Sequence, residues 1–302
     1  MSEQQPVRRI ALVGFGEVGT IFGQDLARLG LELSTYDILL DAPATRTAML
    51  ERSRAAGVTP CDTLGEAARD ADLVISAVTA SSSRDVARDA APWLRPGQVF
   101  LDVNSVSPET KRGNARAVEA SGADYVEAAV MAPVPPQRLA VPMLLGGPRA
   151  SVLAEALNAL GMKATVAADE IGTASAIKMC RSIMIKGIEA LVVESMLAAR
   201  RFGAEDAVLA SLDKTFPHMG WTAELPDYLV SRVAEHGRRR AAEMREVALT
   251  LENAGIPPIM ATATAVRQDT LVQQMADACL PYPAGGAFSW RALADALAAA
   301  PG

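Results

Sequence analysis

The sequence predicts a doubly wound, mostly parallel α/β domain of Rossmann type followed by an all-helical domain. Three observations carry this. Apolar strand-like runs alternate with amphipathic helices through the first half of the chain. A glycine-rich turn joins the first strand to the first helix. Strand-like runs stop near residue 170, while helical periodicity continues to about Ala299. Residues 1–170 therefore read as a dinucleotide-binding domain. Residues 171–302 read as an all-helical domain, beginning with a long interdomain helix. A chain of 302 residues suits two domains with a sizeable core.

The elements follow in order. RIALVGF is a buried strand, and GEVGTIFGQDLARLG a helix ended by Gly30. LELSTYD is a second strand, and a helix runs through the forties and fifties. ADLVISAV is a strand, SSSRDVARDAAPWL a serine-capped helix, and QVFLDVN a strand again. SPETKRGNARAVEAS is a helix with Pro108 near its first turn. Then come strands ADYVEAAVM and PMLLGG, a helix through SVLAEALNAL, and the strand KATVAAD. Beyond them a long helix runs from Thr173 to about Arg201. Its Ile183, Met184, Ile185, Ile188, Leu191, Val192, Val193 and Met196 are apolar nearly all the way round, the pattern of a buried helix.

Composition narrows the partners. Half of the residues are hydrophobic and 21% are charged, as in soluble globular chains. A net charge of −6 argues against nucleic acid or an anionic membrane as a ligand, because both need a positive surface. Cys61, Cys180 and Cys279 are odd in number and lack metal-site spacing. That argues against disulfides and structural zinc and fits a reducing cytoplasm. MSEQQPVRR leads into the first strand with no apolar signal segment, and no stretch of ~18 uninterrupted apolar residues suggests a membrane span.

VGFGEVG sets Gly14, Gly16 and Gly19 in a G-x-G-x-x-G pattern between a strand and a helix, the context that gives the pattern meaning. Gly14 permits the tight turn, Gly16 the approach of a pyrophosphate, and Gly19 close packing of helix on strand. The whole loop, with Phe15, Glu17 and Val18, would line a dinucleotide. Asp37 ends the second strand, where a carboxylate accepts from an adenine-ribose diol, which favours NAD. Arg46 and Arg52 lie downstream and leave NADP open. Thr79, at the end of ISAVTA, would stand near the nicotinamide half, because ligands bind outside the carboxyl ends of such strands.

Taken with IGTASAIKMCRS, these motifs resemble the β-hydroxyacid dehydrogenases, the family of 3-hydroxyisobutyrate, tartronate-semialdehyde and 6-phosphogluconate dehydrogenases. The resemblance covers residues 8 to about 200 and continues in domain order. LDVNSVSP is similar to the family's D-x-S-T-x-S-P, with Asn104 and Ser105 in place of Ser-Thr. VEAAVMAPV occupies the position of the substrate motif D-A-P-V-S-G-G, with Met131, Ala132 and Pro133 in place of Ser-Gly-Gly. IGTASAIKMCRS matches the catalytic G-x-G-x-x-x-K-x-x-N-N. It keeps Gly172 and Lys178, has Ala174 for the second glycine, and has Arg181 and Ser182 for the asparagines. The resemblance implies a hydride-transferring oxidoreductase with Lys178 as general base in oxidation and general acid in reduction. It places substrate beside Asn104, Ser105, Met131, Ala132, Pro133 and Ser182. Met131 and Pro133 predict a more apolar pocket, and hence a bulkier or aromatic hydroxyacid.

Chemistry gives the lysine a task as well. Alcohol oxidation sends a hydride to a nicotinamide and a proton to a base. A partly desolvated lysine has its pKa lowered toward working pH, and its ammonium form steadies a developing alkoxide. The alternative is a lysine that snorkels to water over apolar surface.

A second constellation lies in YLVSRVAEHGRRRAAEMREVALTL. At ~100° per residue, His236, Arg240 and Glu243 share the face of Leu229, Val233, Met244, Val247 and Leu251, while Arg238 and Arg239 point elsewhere. His236 and Arg240 either hold a substrate carboxylate, in their own or a partner subunit's site, or form an internally paired polar cluster. Lys186, Glu189 and Glu194 read as a structural ion network or as the helix's wet edge, and His218 as a turn residue. PYPAGGAFSW reads as a loop over the cleft or a subunit interface. By the resemblance, the helical domain pairs two subunits into a homodimer. Two rivals remain: an imine reductase on the same scaffold, against which Lys178 counts, and a dinucleotide-sensing protein without chemistry.

Overall fold

The computed structural model describes residues 7–283 and 288–300. Strands β1 (Arg9–Val13), β2 (Glu32–Tyr36), β3 (Thr59–Pro60), β4 (Leu73–Ser76), β5 (Val99–Asp102), β6 (Asp124–Val130), β7 (Pro142–Gly146) and β8 (Lys163–Ala168) form one sheet in the order β3-β2-β1-β4-β5-β6-β7-β8. Every pairing is parallel except β6 with β7. The helices between them are α1 (Glu17–Ala27), α2 (Pro43–Ala55), α3 (Leu64–Ala68), α4 (Ser83–Ala90), α5 (Pro108–Glu119), α6 (Val134–Gln137) and α7 (Ala150–Ala159). The strand order reverses between β1 and β4, so a crevice opens at their carboxyl ends.

The sheet is covered on both sides because its central strands are apolar on both faces. Along β1 the side chains alternate. Ile10 and Leu12 join Phe22, Leu26, Met49 and Leu157 in one core, and Ala11 and Val13 join Ala87, Val118 and Phe100 in the other. Phe22 and Leu26 are fully buried, and each such side chain contributes about 1.5–3 kcal/mol. β3 and α3 are additions to the sequence reading. β3 has two residues, one of them Pro60, which can sit at a sheet edge because no further strand needs its missing N–H.

The chain divides into two units, residues 1–179 and 180–302, so the division falls within the long helix α8 (Thr173–Phe202) rather than at its start. The second unit adds α9 (Glu205–Thr215), α10 (Leu225–Asn253), α11 (Ile259–Asp277) and α12 (Trp290–Ala299). Val193, Met196, Trp221, Val233, Leu271 and Trp290 centre its core. Gly237 lets α10 and α11 meet closely, since a Cβ there would lie 2.8 Å from the Gln268 carbonyl oxygen. The apolar character of α8 predicts burial nearly all the way round, and the structure differs. Val192, Val193 and Met196 are buried, but Met184, Ile185 and Leu191 are exposed, so one side of α8 is left uncovered by its own unit. Among the described residues no helix is long and apolar enough to cross a membrane. Within PYPAGGAFSW, residues 284–287 lie outside the described residues.

Candidate active site

The three loop glycines each meet a different physical demand. Gly14 has φ +89°, and a Cβ on it would lie 2.5 Å from the Ala77 carbonyl oxygen at the end of β4. Gly19 would put a Cβ 2.2 Å from the Gly14 carbonyl oxygen. Gly16 is exposed and would meet nothing within 4 Å. It caps the N-terminus of α1, whose first amides have no helical acceptor. Two glycines are therefore required by packing. The third keeps open a space beside a helix N-terminus, which fits the pyrophosphate of a dinucleotide.

Asp37 reaches the same loop. Its Oδ2 accepts from the Phe15 N–H at 2.6 Å and its Oδ1 from the Leu39 N–H at 2.9 Å. The Phe15 ring is buried in the core, whereas Glu17 is exposed and Val18 half-buried at the start of α1. Arg46 is engaged with the Leu40 carbonyl at 2.7 Å and with Asp62. Thr79 is exposed just after β4, its hydroxyl 3.0 Å from those of Ser81 and Ser82.

At the carboxyl end of β5 the chain turns through Asn104 and Ser105. The half-buried Lys178 Nζ donates to Ser105 Oγ at 2.5 Å. Asn104, expected beside substrate, turns into the fold. It is buried, its Oδ1 accepts from Val78 N–H at 2.7 Å, and its Nδ2 donates to Ser76 Oγ at 2.9 Å. Its amide ties β4 to β5 and leaves Ser105 as the residue of the pair that meets the lysine.

Sequence reasoning did not find the group beneath this turn. Asp102 and Lys111 are both fully buried. Lys111 Nζ lies 2.9 Å from Asp102 Oδ1 and 2.7 Å from its carbonyl oxygen. Tyr125 OH and Asn114 Nδ2 donate to Asp102 Oδ2 at 2.8 and 2.9 Å, and the Asn104 N–H donates to Oδ1 at 2.9 Å. Burial alone would raise the Asp102 pKa, but the Lys111 ammonium and these donors outweigh it and hold the carboxyl below its ordinary range. Burial, with Asp102 beside it, pushes the Tyr125 hydroxyl well above its ordinary value. Ser76, Asp102 and Glu127 stand in register across β4, β5 and β6, a polar row at the carboxyl end of an apolar sheet. A charge at the end of β5 and another in the middle of β6, each in an apolar strand, were the available signal.

Met131 and Ala132 are half-buried and Pro133 exposed in the segment after β6. The same segment continues to Arg138, a non-glycine residue at φ +52°. Its guanidinium grips Asp25 of α1, with Nε 3.0 Å from Oδ2 and Nη2 2.8 Å from Oδ1, and donates to Gln24 Oε1 at 3.1 Å.

In the second unit Ser182 is buried. The face predicted for α10 holds: Arg240 is buried while Arg238 and Arg239 are exposed. Arg240 pairs with Glu189, its Nε 2.9 Å from Oε2, and Lys186 pairs with Glu243 at 2.5 Å. Burial pushes Lys186 below the usual ammonium range and Glu189 above the usual carboxylate range, each against its partner's pull. The half-buried His236 lies 3.3 Å from Glu235. Its pKa is lowered by burial and by Arg232, Arg239 and Arg240, against Glu235. His218 lies in a turn at φ +69°.

Comparison with known proteins places this arrangement. The family profile "NAD binding domain of 6-phosphogluconate dehydrogenase" matches residues 9–168, and a domain of unknown function matches residues 199–271. A conserved hypothetical protein from Sinorhizobium meliloti is 38% identical, with a TM-score of 0.77 over 98% of this chain and 97% of that one. A second solved structure, of a conserved protein described as similar to 3-hydroxyacid dehydrogenases, is 32% identical, with a TM-score of 0.69 over 87% and 96% of the two chains. The mitochondrial 3-hydroxyisobutyrate dehydrogenase of Drosophila melanogaster is 26% identical over 74% of this chain and 68% of its own length.

Proposed function

Because the chain belongs to the β-hydroxyacid dehydrogenase family, as a divergent member, we propose that it oxidises a hydroxyacid or reduces the matching carbonyl acid, with Lys178 moving the proton. The observation that carries this reading is the 2.5 Å bond from Lys178 Nζ to Ser105 Oγ, at the carboxyl edge of the sheet that also carries the glycine loop. A nicotinamide dinucleotide, when bound, accepts or supplies the hydride.

The protein's own groups do the rest. In oxidation the Lys178 amine takes the substrate hydroxyl proton. In reduction its ammonium returns that proton to the carbonyl oxygen. Ser105 holds Nζ in one orientation and gives it a polar partner between turnovers. Gly14, Gly16 and Gly19 leave room for the pyrophosphate, and the first amides of α1 face its charge.

The cofactor is NAD in this reading. Asp37 supplies the acid for a ribose diol, and Arg46, one cation that would favour a 2′-phosphate, is occupied by Asp62. Met131 and Pro133 make this segment more apolar than the family's Ser-Gly-Gly, so in this reading the substrate carries a bulky or aromatic side group. The working form is a homodimer through the helical unit. Met184 and Leu191 of α8 and Ile259, Met260 and Val266 of α11 are exposed apolar side chains that a second copy would cover.

The test is nicotinamide absorbance over a panel of 3-hydroxy acids of graded size, with NAD and NADP in parallel, for wild type and Lys178→Met. Turnover lost in the variant while cofactor still binds supports the reading. Equal turnover in the two proteins refutes the role of Lys178, and turnover that falls with side-group size refutes the bulky substrate.

A further inference from the structure

The proton transfer described above leaves Glu127 of β6 without a role. Its side chain is fully buried. Oε1 accepts from the Gly172 N–H at 2.6 Å and from the Ala174 N–H at 3.0 Å, and Oε2 accepts from the Ser175 N–H at 3.3 Å. A buried carboxylate is costly unless its oxygens are bonded. Here the donors are amides at the positive end of a 30-residue helix, which adds the attraction of the helix dipole.

The surrounding chain is shaped to this contact. Gly172 has φ +108°, a conformation that suits glycine, and it turns its own N–H and that of Ala174 onto one oxygen. Gly146, paired with Glu127 across the antiparallel ladder, has no side chain where a Cβ would lie 2.5 Å from Oε1. Lys178 follows Ala174 and Ser175 by four and three residues, so it shares their side of the helix one turn on. Fixing the amides of 172–175 fixes the base from which Lys178 reaches out. Ser105, the other end of its bond, hangs from the Asp102 turn of the adjacent strand, and Asp102 is in register with Glu127.

We propose that Glu127 is a positioning residue for Lys178: it pins the first turn of α8 to the sheet so that Nζ meets Ser105 Oγ. This rests on the reading of Lys178 as the proton-transfer group. A cap that only stabilised the helix would lower the melting temperature yet leave Lys178 unchanged in folded molecules.

The experiment compares wild type with Glu127→Gln, Glu127→Asp, Lys178→Met and the Glu127→Gln/Lys178→Met double variant, below their melting temperatures. Acylation of Lys178 by an amine-reactive ester is followed across pH by mass spectrometry in the cofactor-free protein. Amide exchange at 172–175 is read alongside, and kcat and KM are measured on the hydroxyacid panel. Glu127→Gln should shift the pH profile of Lys178 acylation and speed exchange at those amides. It should lower kcat by about 10- to 100-fold, the usual penalty of a misplaced catalytic group, with cofactor affinity unchanged. In the Lys178→Met background the same change should cost less than about twofold, because groups acting through one another are non-additive. Glu127→Asp keeps the charge and shortens its reach by one carbon, so it tests the same direction if the glutamine variant does not fold. An unchanged acylation profile, or an equal loss of kcat in both backgrounds, overturns the proposal. Full turnover by Lys178→Met would instead sink the proton-transfer reading, while acylation still decides whether Glu127 places the amine.

Discussion

Removing the Lys111 ammonium tests the electrostatics beneath the site. Lys111 and Asp102 are both fully buried, and Lys111 gives Asp102 two close contacts. Deleting one member of a buried pair leaves an uncompensated charge and costs about 3–5 kcal/mol. Lys111→Met fills similar space and leaves Asp102 four other donors, from Tyr125, Asn114, the Ser83 hydroxyl and the Asn104 N–H. Those donors put the expected loss at the low end, about 3 kcal/mol. For a unit of this size that is a fall of roughly 6–12 °C in melting temperature. The double variant Lys111→Met/Asp102→Asn removes both charges and should recover part of the loss, since neutral replacement of a buried pair is often tolerated. Calorimetry and urea unfolding of the three variants against wild type measure the cycle. A loss under about 1 kcal/mol in Lys111→Met, or a double variant as unstable as the two singles summed, would refute the reasoning.

The remaining expectations concern the glycine loop, Asp37 and pH. Gly19→Ala should destabilise the first unit, because its Cβ falls 2.2 Å from a carbonyl oxygen. Gly16→Ala should melt like wild type but bind NADH more weakly, since its methyl enters the open space; thermal melts beside a fluorescence titration separate the two. Asp37→Ser should lower the preference for NADH over NADPH, read as a ratio of dissociation constants. The depressed Asp102 pKa adds stability that is complete above the ordinary carboxylate value of about 3.9 and is lost as pH falls through the folded value. Acid unfolding of Asp102→Asn should therefore show a flatter pH dependence in that range. The lowered His236 pKa acts likewise, removing stability as pH falls below about 6.5, so His236→Gln should flatten urea midpoints from about pH 7 to 5.

The parts of the fold that rest on local pattern were legible in the sequence. The glycine loop is a contiguous motif, and two of its three positions answer to contacts only a few residues or one strand away. The inward face of α10 followed from helical spacing alone, including a buried Arg240 next to the exposed Arg238 and Arg239. Contacts between distant segments were not legible. Asn104 reads as a substrate ligand because its motif sits at a strand end, but Ser76 and Val78 come to it from another strand and take its amide. Asp102 looks like the polar end of an apolar strand, and Glu127 like a lone charge within one. Their importance lies in amides 45 to 48 residues later and in an α5 lysine nine residues on, which only the folded chain brings within reach. The all-round apolar character of α8 predicts burial. It does not say whether the cover comes from the same chain, and its own unit leaves Met184 and Leu191 exposed.

The grip of Arg138 on Asp25 bears on the thermodynamics of ligand binding. A non-glycine residue at positive φ costs of order 1–3 kcal/mol of strain and persists where its surroundings hold it. Here the holder is a two-pronged ion pair to the helix that opens at the glycine loop. The segment from Met131 to Arg138 also contains three prolines, which restrict its backbone before any ligand arrives. Its ordering entropy is thus spent during folding rather than on association. On the proposed reading, a substrate beside this segment meets a surface already set, so its affinity reports complementarity of shape, with little adjustment available to forgive a poor fit.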